Sequence, residues 1–288
     1  MDLPMPEPTI PTLPLPHYKV ISFDVYGSLI EYKAHIVRSF QPLLSRLPPS
    51  SPYLDPTPLS ADIPNSNTVG AVRFLQLFQR QEDLIKLEKP VRRFDGILAE
   101  IWRRIARELQ VDTTEAEALA FGSEAVISSW PCFPGTVKAL RQLQKNYRLV
   151  ALSNIDRFAW YTTSSSPSSG LGDVSWWKVF TAEDCASDAG RPLDETRLET
   201  LVAYCARYGV QRNEILHVAQ SLGHDHAPAK RLGLSSVYLV GDGPRWGKEA
   251  ESRMVLDKGL VGYGWRCQNL QEFAELVHRA WDNVTPIE

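Results

Sequence analysis

The chain has 288 residues, 43% of them hydrophobic and 23% charged, which is enough apolar side chain to bury a sizeable core. Its 31 basic and 34 acidic residues leave a net charge of -3, which argues against a general electrostatic grip on nucleic acid or on an anionic membrane surface. The four cysteines, Cys132, Cys185, Cys205 and Cys267, lack the close pairing of a zinc site and suit a reduced, cytoplasmic protein.

Residues 1–17 carry a proline at nearly every second or third position. They read as an extended N-terminal tail, unlike the basic start and helical apolar core of a signal peptide. No apolar run reaches the roughly 18 residues that a membrane span needs. Val20, Ile21, Ser22 and Phe23 then form a short, nearly continuous apolar run ending at Asp24, as expected of a parallel strand buried on both faces. Gly27 marks a turn after it.

Residues 31–47 have helical spacing and should stop before Pro48-Pro49. Residues 48–66 gather Pro48, Pro49, Pro52, Pro56, Pro58 and Pro64 among polar residues and read as an irregular surface insertion. Helices are predicted over 69–88, 94–110 and 114–129, the last opening at Asp112-Thr113-Thr114-Glu115. Helices without strands, placed after a single strand, describe a helical cap over 31–130. The pattern changes at Trp130-Pro131. Strands are predicted at Tyr147 to Leu152, Val179 to Thr181, Ile215 to Ala219 and Ser236 to Val240. Helices are predicted at 135–145, 194–208, 227–232 and 268–281, with a Ser/Gly-rich loop at 163–172. This alternation implies an α/β fold, a Rossmann-like parallel sheet core (18–30 and 131–288) with the helical cap inserted. Ligands of such sheets sit beyond the carboxyl ends of the strands, which puts Asp24, Ser153, Asn154 and the segment after Ala219 on one rim.

A carboxylate at the mouth of a buried strand loses solvation unless donors point at it, and one held by a tight turn can act as a nucleophile. The alternative for Asp24 is a structural turn cap. The string FDVYGSL at 23–29 resembles the first motif of the haloacid dehalogenase (HAD) superfamily. In order after it, LSN at 152–154 resembles the second motif and GRP at 190–192 lies where the third has Lys-Pro. HVAQSLGHDHAPAKRLGL at 217–234 resembles the fourth. The likeness runs from about residue 18 to 245. It implies the same core-and-cap plan, with Asp24 as nucleophile and Asp225 as the acid of the fourth motif.

Phosphatases of the superfamily carry a second Asp two residues after the nucleophile, where this chain has Tyr26, and a fourth motif rich in magnesium-binding acids. Here Ser221 precedes a single Asp225, and two carboxylates are few for magnesium. The pattern is closer to the 2-haloacid dehalogenase branch, which implies no metal and no cofactor. By that resemblance Asp24 displaces halide and forms an ester, and water assisted by Asp225 hydrolyses it. Ser153 and Asn154 hold the substrate, and Arg80, within LFQRQEDL, receives the leaving group. Tyr26, Ser221 and His224 are the further substrate-binding candidates. His224 and His226 flank Asp225, but on a strand-to-helix turn they need not face one metal. The third-motif lysine is replaced by Arg191, larger and planar, with Lys178 and Lys230 as substitutes off the motif position.

The function implied is a HAD-like hydrolase acting without metal on a small or medium organic acid. The alternative is a tailoring enzyme of fungal secondary metabolism on the same scaffold, with Asp24 as acid or base for dehydration, isomerisation or epoxide opening. The wording QSLGHDH and the proline-rich insertion resemble fungal branches. A catalytically silent binding protein is a third reading. The expected partner is a small molecule, with neither nucleic acid nor membrane, and a homodimer is left open.

Overall fold

The computed structural model describes residues 5–59, 68–88, 93–185, 193–241 and 254–284. Strands β1 (Val20–Phe23), β2 (Arg148–Leu152), β3 (Trp176–Phe180), β4 (Ile215–Ala219), β5 (Ser235–Leu239) and β6 (Trp265–Cys267) make one parallel six-stranded sheet, in the order β3-β2-β1-β4-β5-β6. Every residue of β1, β4 and β5 is buried, which explains why these strands read as continuous apolar runs. The order reverses between β1 and β4, and such a switch point opens a crevice at the carboxyl ends of the strands. Asp24 leaves β1 at that crevice and Asp225 follows β4 there.

Between β1 and β2 the chain forms α1 (Lys33–Ser39), α2 (Gln41–Leu44), α3 (Val69–Glu88), α4 (Phe94–Glu108), α5 (Glu115–Phe121) and α6 (Glu124–Ser128), then α7 (Thr136–Leu143) back against the sheet. The cap has its own aromatic centre. The Phe40 ring lies 4.9 Å from Phe74, 4.6 Å from Trp102 and 4.5 Å from Phe121. The helix predicted over 114–129 is two helices. Thr114 opens α5 with a reciprocal cap to Glu117, as its sequence suggests. The break comes at Gly122, where a Cβ would strike the Asp95 carbonyl of α4. The described part of the proline-rich insertion packs on α3: Gly70 N donates to Asp55 O at 3.0 Å.

The core continues with α8 (Arg157–Ser164), α9 (Ala182–Cys185), α10 (Leu193–Ala206), α11 (Ala227–Arg231) and α12 (Leu270–Asp282). Helix α8 and strand β6 were not foreseen from the pattern. The first mixes aromatic and polar residues without a clean stripe, and the second is three half-buried to buried residues long. The proline-rich N-terminus is packed: Thr9 Oγ1 donates to Lys230 O, Leu13 N donates to Tyr18 Oη, and Thr12 lies against Gly264 beside β6. Among the described residues no helix is long and apolar enough to cross a membrane.

Candidate active site

The turn after β1 is built to hold Asp24. Gly27 has φ of +94°, open to glycine at little cost, and this lets Gly27 N donate to Ile30 O at 2.9 Å. The chain doubling back there brings Ser28 Oγ to donate to Asp24 Oδ2 at 2.7 Å. Ser28 Oγ in turn accepts from Gln220 N at 3.0 Å, tying the turn to the end of β4. The other carboxylate oxygen, Oδ1, lies 3.6 Å from Arg197 Nη1.

Arg197 is the centre of the site. It projects from α10 and is 1% exposed. Its Nη2 donates to Asp225 Oδ1 and, at 3.0 Å, to the His224 carbonyl; Nη1 donates to Leu152 O at 3.3 Å. Its Nε has no hydrogen-bond partner among the described residues. Asp225, equally buried, sits in a wide π-type turn over Leu222–His226 after β4. Its Oδ1 also accepts from His217 Nε2 at 3.0 Å, and His217 Nδ1 meets Ser22 Oγ of β1 at 2.9 Å. An ionised carboxylate can only accept, so Nε2 carries the proton in that pair. A polar chain results, from Ser22 through His217, Asp225 and Arg197 to Asp24 just after β1.

The two carboxyl groups are pushed apart. Burial, reinforced by the charge of Asp225, raises Asp24 to about 7 against the pull of Arg197 and Ser28. Burial also works to raise Asp225, but the Arg197 charge and the His217 hydrogen bond outweigh it and hold its pKa below the ordinary range. One acid near neutrality beside one locked as an anion is an arrangement that active sites use.

The other expected residues fall as follows. Ser153 is buried after β2, its N–H donating to Phe180 O at 3.0 Å. Asn154 Nδ2 donates to Asp194 Oδ1 at 2.9 Å, and Asp194 Oδ2 meets His224 Nδ1 at 2.8 Å. Ser221 Oγ accepts from His224 N at 3.1 Å and so caps the turn that carries Asp225. Tyr26 packs on Tyr32, Phe94 and Trp130, and its hydroxyl bonds to Thr163 of α8. His224 and His226 part company. His226 is fully buried against Ser236 and the Ala219 carbonyl, and burial lowers it to about 4, so it is neutral.

Arg80 does not join the site. Its side chain is 57% exposed on the outer side of α3 and pairs with Glu108 of α4. The spacing of LFQRQEDL puts Leu77, Phe78, Gln81 and Glu82 on the buried side of that helix, which turns Arg80 outward. Arg191 lies outside the described residues. Lys178 stands over the Phe180 ring at 5.3 Å, and Lys230 Nζ donates to the carbonyls of Gly259 and Val261. Among the described residues Arg197 is the cation beside Asp24, the role that motif reading offered to Arg191. One signal for it is present in the sequence. Arg197 falls on the stripe that buries Leu198, Leu201 and Cys205, and an arginine on a buried stripe requires carboxylate partners.

The donor set does not suit magnesium. Asp225 Oδ1 is occupied by Arg197 and His217, and the guanidinium takes the place between the two carboxylates that a cation would need. Among the described residues no group of three or more His, Cys, Asp or Glu gathers as a metal site.

No protein-family model matches the chain, and no curated protein matches it significantly. Solved structures do. An L-2-haloacid dehalogenase from Xanthobacter autotrophicus superposes with a TM-score of 0.61 at 16% identity, over 91% of this chain and 98% of that one, and was also solved with chloropropionic acid covalently bound. A defluorinating L-2-haloacid dehalogenase, Rha0230, gives 0.60 at 14%, over 91% and 95%. A magnesium-bound HAD-hydrolase candidate from Bacillus subtilis, YfnB, gives 0.60 at 14%, over 91% and 99%. The chain thus has the α/β fold of the haloacid dehalogenases over nearly its whole length.

Proposed function

We propose that the protein is a HAD-like hydrolase that works through Asp24 on a small organic molecule, without metal. The observation that carries this is the half-buried Asp24 carboxylate, held by Ser28 on one oxygen and by Arg197 near the other. In the ionised form one oxygen of Asp24 attacks the carbon that bears the leaving group; the carbon–leaving-group bond breaks and the group departs with the electron pair. Water then adds to the ester at Cγ of Asp24 while a base takes its proton. The ester C–O bond breaks to release an alcohol, and Asp24 keeps one oxygen from water. Arg197 balances the anion that re-forms, and Ser28 offers a donor to the oxygen that gains charge.

The test is single turnover in oxygen-18 water with EDTA present, using a panel of matched chlorinated acids, amides and amines. Label in Asp24, and loss of halide release in Asp24→Asn, are the expected results; halide release with unlabelled Asp24 overturns the ester. The position of Asp24 near 7 also supports a second reading, in which its protonated form is a general acid in a tailoring reaction of the kind found in fungal secondary metabolism. The two differ in sign: kcat/KM rises with pH through about 7 for the nucleophile and falls through it for the acid.

A further inference from the structure

Hydrolysis of the Asp24 ester proposed above, on which this inference rests, needs a base that takes a proton from water. Asp225 is unsuited to that work. Burial works to raise it, but the Arg197 charge holds it below the ordinary range, and its Oδ1 already accepts from Arg197 and from His217 Nε2. A carboxylate locked as an anion gains a proton poorly at neutral pH. Two neighbouring imidazoles are also committed. His217 is fully buried with its Nε2 proton turned to Asp225, and both ring nitrogens of His226 are engaged, by Ser236 and by the Ala219 carbonyl.

His224 differs from both. Its Nδ1 lies 2.8 Å from Asp194 Oδ2. Burial works to raise Asp194, but the hydrogen bond from His224 and the Arg197 charge outweigh it and keep the group ionised. An ionised carboxylate only accepts, so Nδ1 carries the proton and the basic lone pair of the neutral ring is on Nε2. Asn154 Nδ2 donates to the other oxygen, Asp194 Oδ1, at 2.9 Å and holds the carboxylate from that side.

Bonded geometry sets this pair above Asp24. Asp194 and Arg197 stand three residues apart on α10 and so share a face of that helix. Both reach the same two chain segments. Arg197 bonds to the Leu152 carbonyl at the end of β2 and to the His224 carbonyl; Asp194 bonds to Asn154, beyond the end of β2, and to the His224 ring. In the sheet β1 lies between β2 and β4, so these segments flank Asp24, which follows β1. Side-chain exposure rises in the same direction, from 1% for Arg197 to 26% for Asp194 and 49% for His224. The Asp194–His224 pair is the outer layer over the Arg197–Asp24 pair, on the solvent side.

We propose that His224, oriented by Asp194, is the general base of ester hydrolysis. Its Nε2 takes a proton from water as the water oxygen bonds to Cγ of Asp24, and Asp194 stabilises the imidazolium that forms. The bond from Cγ to the substrate oxygen then breaks. That oxygen takes the proton from Nε2 and leaves as the alcohol, and Asp24 is restored as a carboxylic acid that gives its proton to solvent. His224 takes no part in forming the ester, which separates the two halves of the reaction.

His224→Ala removes only a half-exposed ring, because the N–H and carbonyl of residue 224 keep their bonds to Ser221 and Arg197. With the chlorinated acids, amides and amines of the labelling test, this variant is expected to release a single equivalent of halide and then to turn over at least about 10²-fold more slowly than wild type. The Asp24 ester should accumulate and be seen by intact mass. Asp194→Asn is expected to slow hydrolysis at least about tenfold. Added imidazole should restore turnover to His224→Ala and not to Asp24→Asn. Turnover of folded His224→Ala as fast as wild type, or loss of its first equivalent of halide, overturns the assignment and leaves the ester in place. Halide release by wild type with Asp24 unlabelled overturns the ester and this step with it.

Discussion

Arg80 and Arg197 are chemically the same residue, each paired with a carboxylate, and they show two uses of an ion pair. Arg80 meets Glu108 on an exposed helix face, among the similar pairs Arg104–Glu88 and Arg103–Glu115. Water and salt screen such pairs, and each is worth about 0–1 kcal/mol. Arg197 is 1% exposed between Asp24 and Asp225. There the pair sets protonation states instead of adding surface stability. The chemistry of a charged residue in this protein follows its burial, and a motif that identifies an arginine without its burial can select the wrong one.

The comparison is sharpest at Arg197→Met. That change leaves the buried Asp225 and the half-buried Asp24 without their cation, and a loss of about 3–5 kcal/mol is expected in urea unfolding at pH 7. A loss below 1 kcal/mol would place Arg197 with the surface pairs. Next comes Asp156→Ala. Asp156 Oδ1 accepts from Ala159 N at 2.7 Å to cap α8, and Oδ2 accepts from Phe94 N at the start of α4, so one buried side chain joins cap and core. Its removal should cost about 1–3 kcal/mol through two stranded N–H groups. Faster proteolysis of the cap at unchanged secondary structure is the accompanying readout.

Asp24→Asn is expected to act in the opposite direction. The folded state raises this carboxyl to about 7, so its contribution to stability is present below about pH 4 and is lost as the pH rises through 7. Asparagine carries no charge to desolvate. The variant should melt a few degrees above wild type at pH 8, and the gap should close toward pH 4; an equal gap at both would deny the burial of the charge. The smallest effect belongs to Arg80→Ala, within about 0.5 kcal/mol. A large loss of halide release in a folded Arg80→Ala protein would return Arg80 to the site.

The sequence shows the sheet and the position of Asp24 clearly because both depend on local pattern: β1 is a buried run, and a turn glycine follows it. The cap helices were legible for the same reason, with Ile97, Ile101 and Ile105 of α4 on one buried face. What stayed hidden depends on the third dimension. His217 is an ordinary strand residue until β4 is laid beside β1, where the register sets it opposite Ser22. Asp194 gains meaning only from Asn154 and His224, which come from other elements. Arg80 was misplaced because a short motif fixes residue order but does not by itself choose which side of a helix faces inward.

The packed N-terminus also bears on the order of events during synthesis. Glu7 and Thr12 lie against Gly262 and Gly264, and Leu15 and Tyr18 are buried, with the Tyr18 ring 5.9 Å from Trp265 of β6. Residues 7–18 therefore find their full set of contacts only after residues 262–265 have left the ribosome. Until β6 emerges, residues 7–18 lack their contacts with Gly262, Gly264 and Trp265, and contacts of such long sequence separation form late. The emerging chain cannot seal this flank of the sheet stepwise, and a growing polypeptide stopped short of residue 265 should leave its N-terminal segment open to protease.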